Sequence, residues 1–246
     1  MGCAHKENQN GFTLVEISIV MIIIGLLIGG TFGGMKLIDN MQVNRTVQDL
    51  KAIESAALTF KDTYGRLPGD IVNPAARLPS CTSAPCSTGG NGNRVIGTNT
   101  LWNAAMPAPE IAQENVTFWH HLSAADLMAA GIKGSTDLAF GESQPESPVG
   151  GGYRISDRGN GPVTTCPKPV VRTIAFLTST DTGLLGWGAT VPCALLSSID
   201  RKFDDNSPVD GSFMAFWGCE SSGSATCGST YVITATGTGM YDFKGF

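Results

Sequence analysis

The feature that most constrains this chain is an uninterrupted apolar run close to its N-terminus. From Ile17 to Met35 there are 19 consecutive residues without a charge. A helix rises ~1.5 Å per residue, so this run nearly crosses a hydrocarbon core of roughly 30 Å. A secretory signal peptide would have a shorter apolar run followed by a cleavage site of small residues, and neither is present. The run therefore predicts a single membrane-inserted helix.

A polar leader and one carboxylate precede the apolar run. The leader, residues 1–11, reads MGCAHKENQNG, and Glu16 lies at the start of the predicted helix. A carboxylate carried into a bilayer without a partner is strongly unfavourable, so Glu16 would need a partner there. The alternative is an acidic residue in the first helical turn, stabilised by the helix dipole at the level of the lipid headgroups.

The string Gly11-Phe12-Thr13-Leu14-Val15-Glu16 resembles the processing site of type IV pilins and of the pseudopilins of type II secretion. The resemblance covers about residues 6–35. It implies that a prepilin peptidase cuts after Gly11, that the new N-terminal amine of Phe12 is methylated, and that the leader is lost. Glycine at this position lets the backbone lie against a protease without a steric penalty.

The resemblance also implies a partner for Glu16 and a function. The carboxylate would pair with the α-amino group of Phe12 in a neighbouring subunit, which fixes the axial register of a filament. Residues 12–35 would form both the transmembrane helix and the filament core. The chain would be a structural subunit, a pilin or minor pilin, and not an enzyme. The alternatives are a pseudopilin of a type II secretion system and, in another class, a membrane-anchored extracytoplasmic enzyme or receptor.

Partners and location follow from the same resemblance. We expect membrane lipid around the precursor, then copies of this chain and other pilins in the filament, with the prepilin peptidase and an inner-membrane assembly platform acting on it. The precursor would cross the bacterial inner membrane once, and the filament would be periplasmic or extracellular. No nucleotide-binding motif is present, and the net charge of −5 gives no indication of DNA binding.

Three glycines recur every fourth residue within the apolar run, at Gly25, Gly29 and Gly33. Small residues at this spacing allow helix backbones to approach closely in an apolar medium. The alternative is that they loosen the helix, because glycine is unfavourable in a helix interior by ~1 kcal/mol relative to alanine. The first interpretation predicts helix packing between subunits, and the second predicts local melting during assembly.

After Lys36 the pattern becomes amphipathic, which predicts a helical continuation over residues 36–64. No proline occurs between Phe12 and Tyr64, so one helix can include both parts, and Gly65 followed by Pro68 predicts its end. The expected apolar stripe consists of Leu37, Met41, Val47, Leu50, Ile53, Ala57, Phe60 and Tyr64. The part of this stripe from Leu50 to Tyr64 must be covered by the head that follows, residues 65–246.

The head reads as short strands and helices, with a long connector over residues 71–117. We predict helices over Ser123–Gly131 and Val191–Phe203, and strands over Tyr153–Ser156, Val170–Thr178, Ser212–Trp217 and Tyr231–Thr236. The expected fold class is α+β, of the type IV pilin-like kind. One long N-terminal helix would pack on an antiparallel sheet.

The head contains six cysteines once the leader with Cys3 is removed. An even number in an exported, glycine-rich domain favours three disulfides. The expected pairings are two that close short loops, with the third joining the remaining residues: Cys81–Cys86, Cys219–Cys227 and Cys166–Cys193. Free buried thiols are the alternative. A zinc site is disfavoured because no Cys-x-x-Cys spacing occurs in the chain.

No catalytic motif is recognisable in the sequence. His120 and His121 are adjacent and do not share a helix face, so a packing or surface role is expected for both. The best candidate metal ligands are four carboxylates, Asp200, Asp204, Asp205 and Asp210, which could supply oxygens to calcium. The alternative is the turn chemistry of a tight reversal between a helix and a strand, and no other cofactor is indicated.

Overall fold

The computed structural model describes residues 11–97, 113–128, 132, 137–157, 173–178, 191–216, 219 and 228–243. In this part of the chain, α-helices and an antiparallel sheet follow one long N-terminal helix, so the predicted α+β class is confirmed. The chain divides into two compact units, Met1–Met41 and Gln42–Phe246.

The first helix, α1, extends over Leu14–Tyr64, which is 51 residues. It begins two residues after the predicted position and ends where predicted. Gly65 adopts a left-handed φ of 69°, and its N–H donates to the carbonyl of Lys61 at 2.8 Å. Glycine adopts this conformation without strain, so it terminates the helix.

Part of α1 belongs to the second unit and carries its apolar stripe. The buried residues are Val43, Thr46, Val47, Leu50, Ile53, Ala56, Ala57 and Phe60. They recur at three- and four-residue steps, as a helix face packed on a core requires. The expected cover of the stripe from Leu50 onwards is confirmed at Leu50, Ile53, Ala57 and Phe60, and burial begins earlier than expected, at Val43. Leu37 and Met41 are each 63% exposed.

Within the described residues the sheet has five strands, all paired antiparallel: β1 Gly152–Asp157, β2 Thr173–Thr178, β3 Val191–Pro192, β4 Phe213–Phe216 and β5 Thr236–Asp242. Strand β5 pairs with β2 along one side and with β4 along the other, and β1 pairs with the far side of β2. Met240 lies opposite Phe176 of β2 and Met214 of β4. The beginning of β5 also pairs with β3.

The predicted strand over Tyr231–Thr236 is wrong, because the last strand begins where that prediction ended. Residues 237–242 are all buried, so β5 has no alternation of polar and apolar side chains. Its glycines, Gly237 and Gly239, also lower the strand propensity of the segment, because glycine is depleted in strands. A strand covered on both faces has no period of two, and pattern analysis misses it.

The described part also contains two further α-helices, α2 Glu114–Ala124 and α3 Cys193–Phe203, and a short 3-10 helix, Pro74–Ala76. The predicted helix over 191–203 is confirmed except for its first two residues, which form β3. The predicted helix over Ser123–Gly131 is wrong for residues 125–128, since α2 ends at Ala124 and Asp126 adopts a left-handed φ of 55°. Residues 129–131 lie outside the described part. Every residue of α2 from Asn115 to Leu122 is buried, so its helical period was not visible in the sequence.

Two tyrosines of the sheet bond carboxylates on α1. The hydroxyl of Tyr241 donates to Glu54 Oε2 at 2.6 Å, and that of Tyr153 donates to Asp49 Oδ2 at 3.3 Å. Burial raises the pKa of both tyrosines, and the neighbouring carboxylates raise it further, so both hydroxyls stay protonated donors. These bonds fix the sheet on residues 42–64 of the helix.

Candidate functional site

Three hydrogen bonds between Thr13 and Glu16 cap the N-terminal end of α1. The Thr13 N–H donates to Glu16 Oε2 at 2.9 Å, and the Thr13 hydroxyl donates to the same oxygen at 2.9 Å. In return, the Glu16 N–H donates to Thr13 Oγ1 at 3.3 Å. Threonine at the N-cap with glutamate three residues later is a capping box. In the isolated chain, therefore, Glu16 is an acidic residue in the first helical turn, which is the alternative that the sequence left open.

The capping box places Gly11 and Phe12 outside the helix. The first backbone bond of α1 joins the Ile17 N–H to the carbonyl of Thr13, at 3.3 Å. Phe12 is 84% exposed. A Cβ built on Gly11 meets nothing within 4 Å, so the fold of this chain does not itself require glycine there.

The first unit presents an apolar helix without any internal cover. Every residue from Gly11 to Met41 is exposed. By length and composition, α1 is the helix in the described part that could cross a membrane, with a mean hydropathy of 2.4 over its most apolar window. The predicted transmembrane helix is therefore supported by length, composition and exposure together.

The three regularly spaced glycines lie inside this exposed helix. A Cβ built on Gly25, Gly29 or Gly33 would meet nothing within 4 Å. The helix is continuous through all three positions. Nothing in the described part of this chain explains them by contact, so the packing interpretation requires a neighbouring helix.

In the second unit, the structure brings together three of the four predicted carboxylates. One side-chain oxygen from each of Asp200, Asp204 and Asp205 lies within 4.8 Å of the others. Asp210 does not belong to this group. Asp200, on α3, is fully buried, and its Oδ2 accepts a hydrogen bond from the Tyr231 hydroxyl at 2.9 Å. Sequence analysis missed Tyr231 because it lies 31 residues from Asp200.

The other two carboxylates bond the turn that follows α3. Asp204 accepts from the N–H groups of Asp205, at 3.0 Å, and of Ser212, and Asp205 accepts from the N–H of Ser207 at 2.9 Å. Gly211 has a φ of 92°, and a Cβ there would collide with Asp204. These contacts are the turn chemistry expected as the alternative to a metal site. Calcium binding stays a prediction, now with three carboxylates.

Burial and the adjacent Asp204 carboxylate raise the pKa of Asp200 to about 9, so this group is protonated at neutral pH. In the unfolded chain the pKa of this carboxyl is 3.8, so the contribution of Asp200 to the free energy of unfolding falls as the pH rises from about 4 towards 9.

Asp200→Asn should remove this pH dependence and raise the free energy of unfolding at pH 8 by at least ~1 kcal/mol. Urea unfolding at pH 6 and pH 8 measures both effects. If calcium instead raised the melting temperature of the natural chain and not of this variant, the carboxylate of Asp200 would bind a cation in place of its proton.

His121 joins three segments of the head as a neutral side chain. Its Nδ1 accepts from the Gly69 N–H at 2.8 Å, and its Nε2 lies 3.0 Å from the carbonyl of Cys86. Because Nδ1 accepts, Nε2 carries the proton and donates. The ring also stacks on Phe60 of α1. The expected packing role describes both histidines, since His120 is buried as well.

The buried histidines should make the head acid-sensitive. Burial lowers the pKa of His120 and of His121 to about 4, against 6.5 when unfolded. Only the unfolded chain binds protons between these values, so stability should fall as the pH drops from 6.5 to 4, by about 3 kcal/mol per histidine. Urea unfolding followed by tryptophan fluorescence tests this between pH 6.5 and 5. A His121→Gln variant should be less stable at pH 7.5 and show a shallower slope; an unchanged slope would contradict the assignment.

The described part contains two disulfides, Cys81–Cys86 and Cys193–Cys219. The first is the short-loop pairing that the sequence favoured. The second shows that both other predicted pairings, Cys166–Cys193 and Cys219–Cys227, are wrong, because the head brings the beginning of α3 to the segment after β4. Cys166 and Cys227 lie outside the described residues. Cys81 and Cys86 also lie near His121, but their disulfide sulfurs are not the thiolates that zinc binds.

Reduction should show how many cysteines are paired. Each disulfide gains about 2 Da on reduction, so the two described bonds add about 4 Da and a third, between Cys166 and Cys227, would bring the total to about 6 Da. We expect about 6 Da for the purified mature chain, measured by intact mass with and without reductant. The Cys166→Ser/Cys227→Ser double variant is the matched control and should show about 4 Da. No gain in the natural chain would mean free thiols.

Comparison with protein families matches residues 6–32 to the prokaryotic N-terminal methylation motif. Comparison with curated proteins and with solved structures gives no match. The matched segment contains Gly11, Phe12, the capping box and two of the three spaced glycines. This motif is the prepilin-type signal of type IV pilins and pseudopilins, so the resemblance inferred from residues 11–16 is confirmed. It supports a structural subunit of the pilin or pseudopilin type in general, a class that is typically non-enzymatic.

Proposed function

We propose that this chain is the precursor of a structural subunit of a type IV pilus-like filament. A prepilin peptidase cuts the bond between Gly11 and Phe12, the amine of Phe12 is methylated, and the mature chain of 246 − 11 = 235 residues enters a filament through its N-terminal helix. The observation that carries this proposal is the fully exposed and largely apolar part of α1, residues 14–41, which has Glu16 in its first turn and lies within or directly after the matched motif.

The exposed helix needs an apolar environment at every stage. A contiguous apolar surface of this length would aggregate in water. Lipid covers it in the precursor, and neighbouring copies of the same helix cover it in a filament. The open space around Gly25, Gly29 and Gly33 allows those neighbours to approach closely.

Cleavage creates the charge that assembly requires. Before cleavage the chain has no amine at Phe12, and Glu16 is bonded to Thr13. After cleavage, the amine of Phe12 in one subunit can neutralise the Glu16 carboxylate of the next when helices bundle. A buried charge without such a partner would be strongly destabilising, so the pair selects one axial register.

The titratable groups of the described head support a structural role over an enzyme or receptor. His121, Asp200 and Asp204 bond to other groups of the chain itself. Catalytic groups would instead converge on a cavity open to substrate. The energy for assembly would come from the inner-membrane platform, because the sequence has no phosphate-binding loop.

Electron microscopy of sheared surface fibres, combined with peptide mapping, tests the proposal. The fibres should contain this chain, and its first peptide should begin with N-methylated Phe12. Fibres from cells that lack this chain are the control. A protein that retains Met1 and stays in the inner membrane would contradict the proposal. A chain that begins at Phe12 but forms fibres only with a type II secretion apparatus would be a pseudopilin.

A further inference from the structure

We propose that Thr13 is a positioning residue for the processing reaction. Together with Glu16 it forms a capping box that makes the helix begin at Leu14, shortly after the scissile bond, and so keeps that bond free of helical structure. The inference rests on the proposed function, because it concerns cleavage between Gly11 and Phe12.

The hydrogen bonds of the first turn show why the helix does not extend upstream of its N-terminal cap. The Glu16 N–H, which would bond the carbonyl of Phe12 if the helix continued upstream, donates to Thr13 Oγ1 instead. The Thr13 N–H, which would bond a carbonyl in the leader, donates to Glu16 Oε2. Side chains therefore occupy the first and the last of the four donors that would extend the helix across the scissile bond. The other two, the N–H groups of Leu14 and Val15, would bond the carbonyls of Asn10 and Gly11 only if the chain upstream of Thr13 were helical.

The location of this cap matters because the helix lies in lipid. In an apolar medium a chain gains from every internal backbone hydrogen bond, so a helix without a stop signal tends to extend. A peptide bond wound into that helix has its carbonyl engaged and its approach covered by the preceding turn. A capped helix leaves the carbonyl of Gly11 accessible to a protease.

Glu16 then has two separable roles. The capping box needs only an acceptor oxygen at this position, which glutamine supplies as well as glutamate. Pairing with the amine of a neighbouring subunit needs the negative charge, which glutamine lacks. Glu16→Gln should therefore retain the cap and lose the ion pair, whereas Glu16→Ala should lose both.

The test uses the full-length precursor in liposomes with purified prepilin peptidase, and the initial rate of leader removal is measured. Thr13→Ser and Glu16→Gln keep the cap and should be cut within about twofold of the natural rate. Thr13→Val and Glu16→Ala remove it and should be cut about fivefold more slowly, the factor that corresponds to a typical N-cap. The double variant Thr13→Val/Glu16→Ala should be no slower than either single variant, because the two residues act as one unit.

A second measurement, made without the protease, shows whether each variant retains the helix cap. Amide exchange at Thr13 in the full-length precursor, held in micelles, should be slow in the natural chain and in Glu16→Gln, and fast in Glu16→Ala. Cleavage of Thr13→Val at the natural rate would overturn the inference, as would Glu16→Gln being cut as slowly as Glu16→Ala. If the natural precursor were not cut between Gly11 and Phe12, the proposed function would fail. If it were cut and the variants did not differ, only the role of Thr13 would fail.

Discussion

A Gly11→Val precursor should remain uncut, with at least about a hundredfold less mature chain than the natural sequence yields under the same conditions. The reason is steric. Hydrolysis requires the Gly11 carbonyl to approach catalytic groups within about 3–3.5 Å, and a β-branched side chain on that residue blocks close approach of the backbone. Intact mass of the membrane fraction measures the result directly, because the uncut chain retains residues 1–11.

The structure separates this effect from a folding defect. A Cβ on Gly11 meets nothing within 4 Å, and the residue is not in the left-handed region that favours glycine. Valine there should leave the head as stable as in the natural chain. Asn10→Val, which adds the same side chain one residue upstream, is the matched control and should be cut. A normal yield of mature chain from Gly11→Val would contradict the assignment of the scissile bond.

The long helix and its processing site could be predicted because their signals are local. An uncharged run, the absence of proline and a terminating glycine set the bounds of α1 to within two residues. The hexapeptide from Gly11 to Glu16 was sufficient to indicate the family of signals. What it did not reveal is the bond between Thr13 and Glu16, although threonine followed three residues later by glutamate is a readable pattern.

The head was predicted less well because its decisive features are not local. Strand β5 and helix α2 are buried around their circumference or on both faces, so neither shows the period that marks an element with one exposed face. The pairing of Cys193 with Cys219 depends on how α3 meets the segment after β4, which spacing alone does not contain. Short-loop pairing succeeded for Cys81–Cys86, where loop closure is itself a local property.

The cluster of three carboxylates in the head also depends on features that the sequence does not show. The sequence placed Asp200, Asp204 and Asp205 near one another, since they lie within six consecutive residues at the end of α3 and the start of the turn that follows. It could not show that Asp200 is fully buried against Tyr231 while Asp205 stays exposed. Burial decides whether such a group holds a proton or a cation, and burial is a property of the folded chain.

Replacing Glu16 should abolish filament entry while allowing the leader to be removed. Glu16→Gln is the sharper variant, because it retains the acceptor that caps the helix and removes only the charge. We expect mature chain in the membrane and about a hundredfold fewer fibres, since the amine of Phe12 in each neighbouring copy would be buried without a counter-charge. Sheared fibre yield, normalised to mature chain in the membrane, measures assembly independently of cleavage.

Two comparisons make this result specific to the charge. Glu16→Asp retains the carboxylate on a shorter side chain, so it should lose fewer fibres than Glu16→Gln. Asp39→Asn removes one negative charge from the same exposed helix, farther from the N-terminus, and should leave fibre yield within about twofold, because exposed charges away from the cleaved amine contribute little. Fibres of normal yield from Glu16→Gln would show that register does not depend on the amine of Phe12. The exposed glycines and apolar side chains would then have to specify the helix packing alone.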